Sequence, residues 1–292
     1  MDYHRERFAD YSLLVRSDDG TLTALLPANA KDDLLISHGG LTYGGFLTDE
    51  KMKLPVMLEV FEAAFAFLKE QSFRRVIYKC IPHIYHRGAA EEDAYALFLS
   101  EAHLRRRGPL TVVDLSQPFP IQERRIRGAR KARKNGVIIR PSDDFDAYWT
   151  ILSERLLEAY GTTPVHSLPE IQLLRARFPD NIKLFAAYHQ DAMVAGVVIY
   201  ETEHVAHAQY IAANSQSRDL GALDLVFEEL LVNRYRDKKY FDFGTSDEEG
   251  GRRLNKGLVD QKEGYGARVV AHDHYDIDLS GWTPGQLAGA MA

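Results

Sequence analysis

The stretch Phe241–Ala267, FDFGTSDEEGGRRLNKGLVDQKEGYGA, concentrates side chains that could do chemistry. A short apolar strand over Tyr240–Phe243 ends at Gly244. A polar loop follows, and Asn255, Lys256, Lys262 and Glu263 then stand close to glycines. A buried strand that opens at its C-terminal end into a Gly-rich polar loop is where α/β proteins place functional groups. The stretch carries too much glycine and charge for a core and reads as one wall of an active site. Asp242 lies between Phe241 and Phe243 and so faces opposite to them. It is either a buried hydrogen-bond acceptor, or a base or amine-orienting carboxylate facing a cleft. Tyr210, in HAQYIAA beside Gln209, is either a packed tyrosine with a satisfied hydroxyl or a proton donor to a leaving group. Tyr160 and His166 stand in EAYGTTPVHSLPEI, a break between two helices, and are candidates for a substrate pocket. Ser167 in the same break, followed by Leu168-Pro169 and Glu170, reads as a helix N-cap.

Other chemistries find little support. The histidines are scattered, without H-E-x-x-H or comparable spacing. His272 and His274 share one face of an expected strand, but no third ligand can be named, so no metal is expected. Cys80, the single cysteine, lies in the apolar run VIYKCIP and reads as inert; no disulfide or Cys-based zinc site follows. No G-x-S-x-G elbow occurs. The 292 residues exceed the usual length of one domain, and 45% hydrophobic with 27% charged residues is an ordinary globular composition. The net charge of −6 argues against coating nucleic acid non-specifically. No apolar run approaches the roughly 20 residues of a membrane span. MDYHRERFAD lacks a signal-peptide core, so a cytoplasmic location is expected.

The elements that must position these groups occur twice. In the C-terminal half KLFAAYH, AMVAGVVIYE and HVAHAQYIAA read as antiparallel strands joined by tight turns. A helix over about Asp219–Arg236 and the strand KKYFDFG follow. In the N-terminal half YSLLVRS, TLTALLPA and DLLIS are three expected strands, the first two linked by Asp19-Gly20. A helix over about Leu54–Gln71 and RRVIYKCI complete the unit. Strand–strand–strand–helix–strand thus repeats, giving an α/β fold with mixed sheets in two domains, 1–137 and 138–280. Residues 281–292 read as a poorly ordered tail. Between the halves, a basic helix over about residues 122–135 serves as connector. It places Arg124, Arg127, Lys131 and Lys134 on one face, either a solvated bridge or a surface for phosphates of a nucleotide, a coenzyme tail or RNA.

Seven segments carry a family resemblance: TYGGF (Thr42–Phe46), IPHIYH (Ile81–His86), RRIRGARKARKNGV (Arg124–Val137), HAQYIAA (His207–Ala213), GALD (Gly221–Asp224), FDFGTS (Phe241–Ser246) and LNKGLVDQKEGYGA (Leu254–Ala267). In this order they resemble the GNAT acyltransferase fold, and as a tandem pair the Fem-type peptidoglycan-bridge aminoacyltransferases. The resemblance implies transfer of an acyl or aminoacyl group from acyl-CoA or aminoacyl-tRNA to a primary amine of a small molecule, peptide or cell-envelope precursor. It places Lys262 near the reacting carbonyl or a phosphate, with Asp242 and Tyr210 as further catalytic candidates. The acceptor is expected in a groove between the halves near Tyr43, His86, Gln209, Asp242, Asn255 and Lys262, with Tyr160 and His166 as separate substrate-pocket candidates.

The sequence departs from the pattern at two points. No long heptad run matches the coiled-coil arm common in Fem-type enzymes. The pyrophosphate loop of GNAT enzymes, Q/R-x-x-G-x-G/A, starts here with Arg218 and Gly221 in place but has Leu223 at the second small position. That residue is expected to keep backbone N–H groups from closing on a pyrophosphate, although a helix N-terminus there could still attract an anion. The donor therefore stands open between a thioester and a tRNA ester. Two alternatives to general acyl transfer are a strictly aminoacyl-tRNA-dependent transferase and an inactive binding module on the same fold.

Overall fold

Period-two apolar alternation and left-handed turns place most of the strands. The computed structural model describes residues 6–291. Along the chain come β1 (Ala9–Asp10), β2 (Leu13–Arg16), β3 (Leu22–Leu26), β4 (Asn29–Lys31), β5 (Leu34–Ile36), α1 (Leu54–Glu70), β6 (Arg75–Lys79), α2 (Glu92–Leu99), β7 (His103–Asp114), α3 (Glu123–Lys134), β8 (Ile138–Ser142), α4 (Phe145–Tyr160), α5 (Leu168–Arg177), β9 (Ile182–His189), β10 (Ala192–Glu201) and β11 (Val205–Ala213). Then follow α6 (Ser215–Leu220), α7 (Ala222–Glu228), β12 (Tyr240–Thr245), β13 (Asp247–Glu248), β14 (Arg253–Leu254), α8 (Lys256–Glu263) and β15 (Arg268–Asp278). None of the described helices is long and apolar enough to cross a membrane.

Two units form, one from residues up to Gly108 together with those from Ala271, the other from Pro109–Val270. These bounds differ from a division at residue 137. The basic helix α3 belongs to the second unit, where Ala129 and Ala132 are buried in its core.

In the second unit β8, β9, β10 and β11 pair antiparallel in that order, and β12 joins β11 in parallel. The β9–β10 turn is made by Gln190 and Asp191, both at positive φ, as a two-residue hairpin requires. Phe185, Val197 and Ile199 of the sheet pack against Leu225, Val226 and Leu230. The helix expected over Asp219–Arg236 is broken. Asn214 caps α6 by accepting the Ser217 N–H, and Gly221 then turns the chain at φ +76° before α7. A Cβ on Gly221 would stand 2.4 Å from the Gly128 carbonyl oxygen of α3, so the two backbones meet where neither has a side chain. A π-helical turn over Glu229–Arg234 ends the segment.

The first unit contains the order β1-β4-β5-β6-β15. β6 is parallel to β5 across α1, just as β12 is parallel to β11 across α7. The repeat of strand, helix and parallel strand is therefore present. The three expected N-terminal strands do not form one meander, however. β2 and β3 form a separate two-stranded sheet, and β4, three residues long and too short to show alternation, provides the antiparallel partner of β5. The core holds Phe61, Phe65 and Leu68 of α1 with Val76 and Tyr78 of β6. The expected loose tail is ordered instead: Trp282 and Leu287 are buried in this core. Trp282 meets Phe65 edge to face at 5.9 Å, and its carbonyl accepts a hydrogen bond from Lys69 at 2.5 Å.

Candidate active site

β11 and β12 are paired only over Val205–His207 and Tyr240–Asp242. Beyond those residues they part, helped by a register shift on the other edge of β12 between Asp242 and Thr245 and by a bulge on β11. Opposite β10, Val198 pairs with Tyr210 and Ile199 with Ala208, which leaves Gln209 as the extra residue. At this splay lies a cavity of about 470 Å³, floored by Leu223 and Phe227 of α7, Phe243 of β12 and Tyr265. Arg155 and Tyr160 reach it from α4, Asn214, Ser217 and Arg218 from the end of β11 and α6, and Arg125 from α3.

Lys262 lines the same cavity. It is 6% exposed and its Nζ donates to the carbonyls of Gly244 (3.1 Å) and Thr245 (2.7 Å). Burial pulls its pKa down to about 8, against the opposing charges of Asp242 and Asp247. A lysine with this pKa exchanges its proton near neutrality while still able to present a cation to developing negative charge. Asn255, expected to hold substrate, caps α8: its Oδ1 accepts the Leu258 N–H and its Nδ2 donates to Glu248.

Asp242 is 1% exposed. Oδ1 accepts the Gly244 N–H at 2.7 Å, made possible by Gly244 at φ +72°, and Oδ2 lies 2.9 Å from His207 Nδ1. The carboxylate is thus both buried and paired, and the partly exposed group is the imidazole, whose side chain is 13% accessible. Tyr210 and His166 are brought together, both buried, with Tyr210 Oη 2.5 Å from His166 Nδ1 and accepting the His166 N–H. Trp149 closes this cluster by donating to the His166 carbonyl. Ser167 caps α5 in a complete capping box with Glu170.

Of the other candidates, Tyr160, Arg218 and Gly221 line the cavity. Arg124, Arg127, Lys131 and Lys134 are on the exposed face of α3, and Arg124 is paired with Asp260 at 2.8 Å. Tyr43 and His86 belong to the first unit, where Tyr43 packs on Tyr85 with ring centroids 4.5 Å apart. Sequence reasoning missed Arg125, Asp224 and Tyr265. Asp224 Oδ1 accepts from Tyr265 Oη at 2.6 Å and from Arg125 at 3.2 Å, and the guanidinium lies over the Tyr265 ring. The signal was the small-residue face Gly128-Ala129 and Ala132, which shares a side of α3 with Arg125 at i, i+3/i+4 and i+7. The aligned charges mark the opposite, solvated side.

Residues 122–249 match the family model of the acetyltransferase (GNAT) domain. This stretch is a GNAT domain. The matched domain supports an acyltransferase, and the structures similar to the chain share its fold. The chain is similar to the crystal structure of FemX, at 11% identity and a TM-score of 0.66, over 93% of this chain and 88% of that one. A second similar structure is the C-terminal domain of a putative lysylphosphatidylglycerol synthetase from Agrobacterium fabrum, at 15% identity and 0.61, over 96% and 86%. A third is a tandem GNAT protein from the clavulanic acid biosynthesis pathway, at 12% and 0.54, over 94% and 84%. No curated protein matches by sequence. The GNAT domain takes in the basic helix, the splayed strands and the cavity floor up to Phe243, whereas Lys262 and Tyr265 follow it.

Proposed function

We propose that the chain transfers an acyl or aminoacyl group from a phosphate-bearing donor, acyl-CoA or aminoacyl-tRNA, to a primary amine of a small molecule, peptide or cell-envelope precursor. The cavity at the β11–β12 splay carries this reading. Its floor is apolar and its rim bears Arg125, Arg155 and Arg218. The buried Ser217 hydroxyl in the same wall has no hydrogen-bond partner among the described residues. An apolar floor suits an acyl chain. Guanidinium groups and a spare hydroxyl suit phosphate oxygens. The strand edges that part beyond His207 and Asp242 leave backbone groups for an extended donor. Lys262 is the cation placed to stabilise charge growing on the carbonyl oxygen, an effect of roughly 3–4 kcal/mol in comparable sites. The setting is cytoplasmic, where both donor types occur.

Strict dependence on aminoacyl-tRNA is favoured by one observation. α6 stands where the pyrophosphate loop is expected, and Leu223 fills part of the cavity wall. The exposed Arg127, Lys131 and Lys134 would then meet RNA phosphates.

The test is a thermal-shift screen with acetyl-CoA, longer acyl-CoAs and CoA, beside a filter-retention assay with aminoacyl-tRNA. A ligand at 100 times its Kd stabilises by about 2.7 kcal/mol. A CoA response lost in Arg155→Ala/Arg218→Ala supports the thioester donor. Salt-sensitive retention lost with the α3 cations supports the tRNA ester. Absence of both responses overturns the reading.

A further inference from the structure

We propose that His207, oriented by Asp242, is the general base that takes the proton from the attacking amine. The inference rests on the acyl-transfer reading above. His207 and Asp242 form the last register pair before β11 and β12 part, so the imidazole stands at the apex of the splay. A Cβ added to Gly244 would come 3.4 Å from His207 Cε1, and the carbonyl of the same glycine binds the Lys262 ammonium. Base, carboxylate and cavity-lining cation thus gather around one residue.

The hydrogen bonds dictate the tautomer. Asp242 is an acceptor fixed on its other oxygen by the Gly244 N–H, so the ring must donate from Nδ1. In the neutral ring Nε2 then carries the lone pair, the state a base needs. Asp242 is almost wholly buried and cannot itself meet an amine; it acts by positioning. In the step, the amine nitrogen forms a bond to the acyl carbon and the C–S or C–O bond to the donor breaks. The N–H proton passes to Nε2 and from there to the leaving sulfur or oxygen. The titratable groups around the ring are Asp242, Tyr200 opposite it on β10, and Lys262, whose charge bears on Asp242.

The experiment compares wild type, His207→Gln and Asp242→Asn, using acetyl-CoA and aminoacyl-tRNA as donors and a panel of primary amines. The readouts are donor Kd, melting temperature and kcat against pH. The expected result is unchanged donor Kd and a kcat lowered about 10²–10³-fold in His207→Gln. The acid limb of the profile should disappear, and the loss should shrink for weakly basic amines already neutral at the assay pH. Asp242→Asn keeps the bond from Gly244 and retains the imidazole. Its amide donates to Nδ1 and moves the ring proton to Nε2, so it should lose the acid limb as well. If wild type transfers and both variants keep kcat and the acid limb, the base assignment is overturned while acyl transfer stands. If wild type binds a donor but acylates no amine, both readings fall together. A parallel loss for all amines with an intact acid limb would reduce the dyad to a structural pair and overturn the proposal.

Discussion

At the scale of single residues, the balance of burial and neighbouring charge on Lys262 gives a pH signature. Its pKa of about 8 in the folded chain lies below the ordinary lysine value. If the ammonium form supports transfer, activity falls as pH passes about 8, and Lys262→Arg, which stays charged, removes that fall. A kcat profile from pH 6 to 10 checks this. The same shift sets a sign for stability. The unfolded chain holds the proton to higher pH, so the folded state gains stability from about pH 8 up to the ordinary lysine value. Below about pH 8 the cost of burying the charge is fully present. Urea midpoints of wild type should rise over that range, and those of Lys262→Met should rise less. Lys262 and Asp242 were legible because one precedes Gly-Tyr-Gly and the other interrupts an apolar strand. The partner of Asp242 was not, because only the β11–β12 register brings His207, 35 residues earlier, to the carboxylate. Arg125 was hidden for another reason: a charged run draws attention to its aligned, solvated face.

At the scale of elements, strands and hairpins were readable wherever alternation ran for several residues, as in β9–β11. The helix after β11 was readable as an apolar stripe but not in its break. Gly221 inside such a pattern signals only flexibility until α3 is seen against it. The crossing makes a strong prediction. Gly221→Ala combines a positive φ with a Cβ 2.4 Å from backbone oxygen, which no rotamer change relieves, and should destabilise by at least about 2 kcal/mol. Urea unfolding should show it, with loss of donor binding, because the same turn forms the cavity rim. Gly136→Ala, at another positive φ but with open space around it, should cost less, about 1 kcal/mol. A cost at Gly221 no larger than at Gly136 would show that the helices can separate freely.

At the scale of the whole molecule, the repeat of strand, helix and parallel strand was legible, while the allotment of chain to units was not. Local patterning carries no information on which distant strand completes a sheet. The first unit draws β15 and the segment after it from the far end of the sequence. Trp282 in that segment is buried against α1, so Trp282→Ala should destabilise the protein by about 3–5 kcal/mol, read from the urea midpoint by circular dichroism. The arrangement also bears on how the protein is made. Pro109–Val270 is one uninterrupted length of chain and can fold as it leaves the ribosome, whereas the first hundred residues emerge earliest and are completed last. Until β15 arrives, β6 has an open edge and α1 lacks the cover of Trp282. For the roughly 8–30 s that synthesis of the intervening chain takes at about 5–20 residues per second, this part of the nascent chain is exposed to chaperones and proteases. The residues before Pro109 are thus older in synthesis than Pro109–Val270 and later in folding.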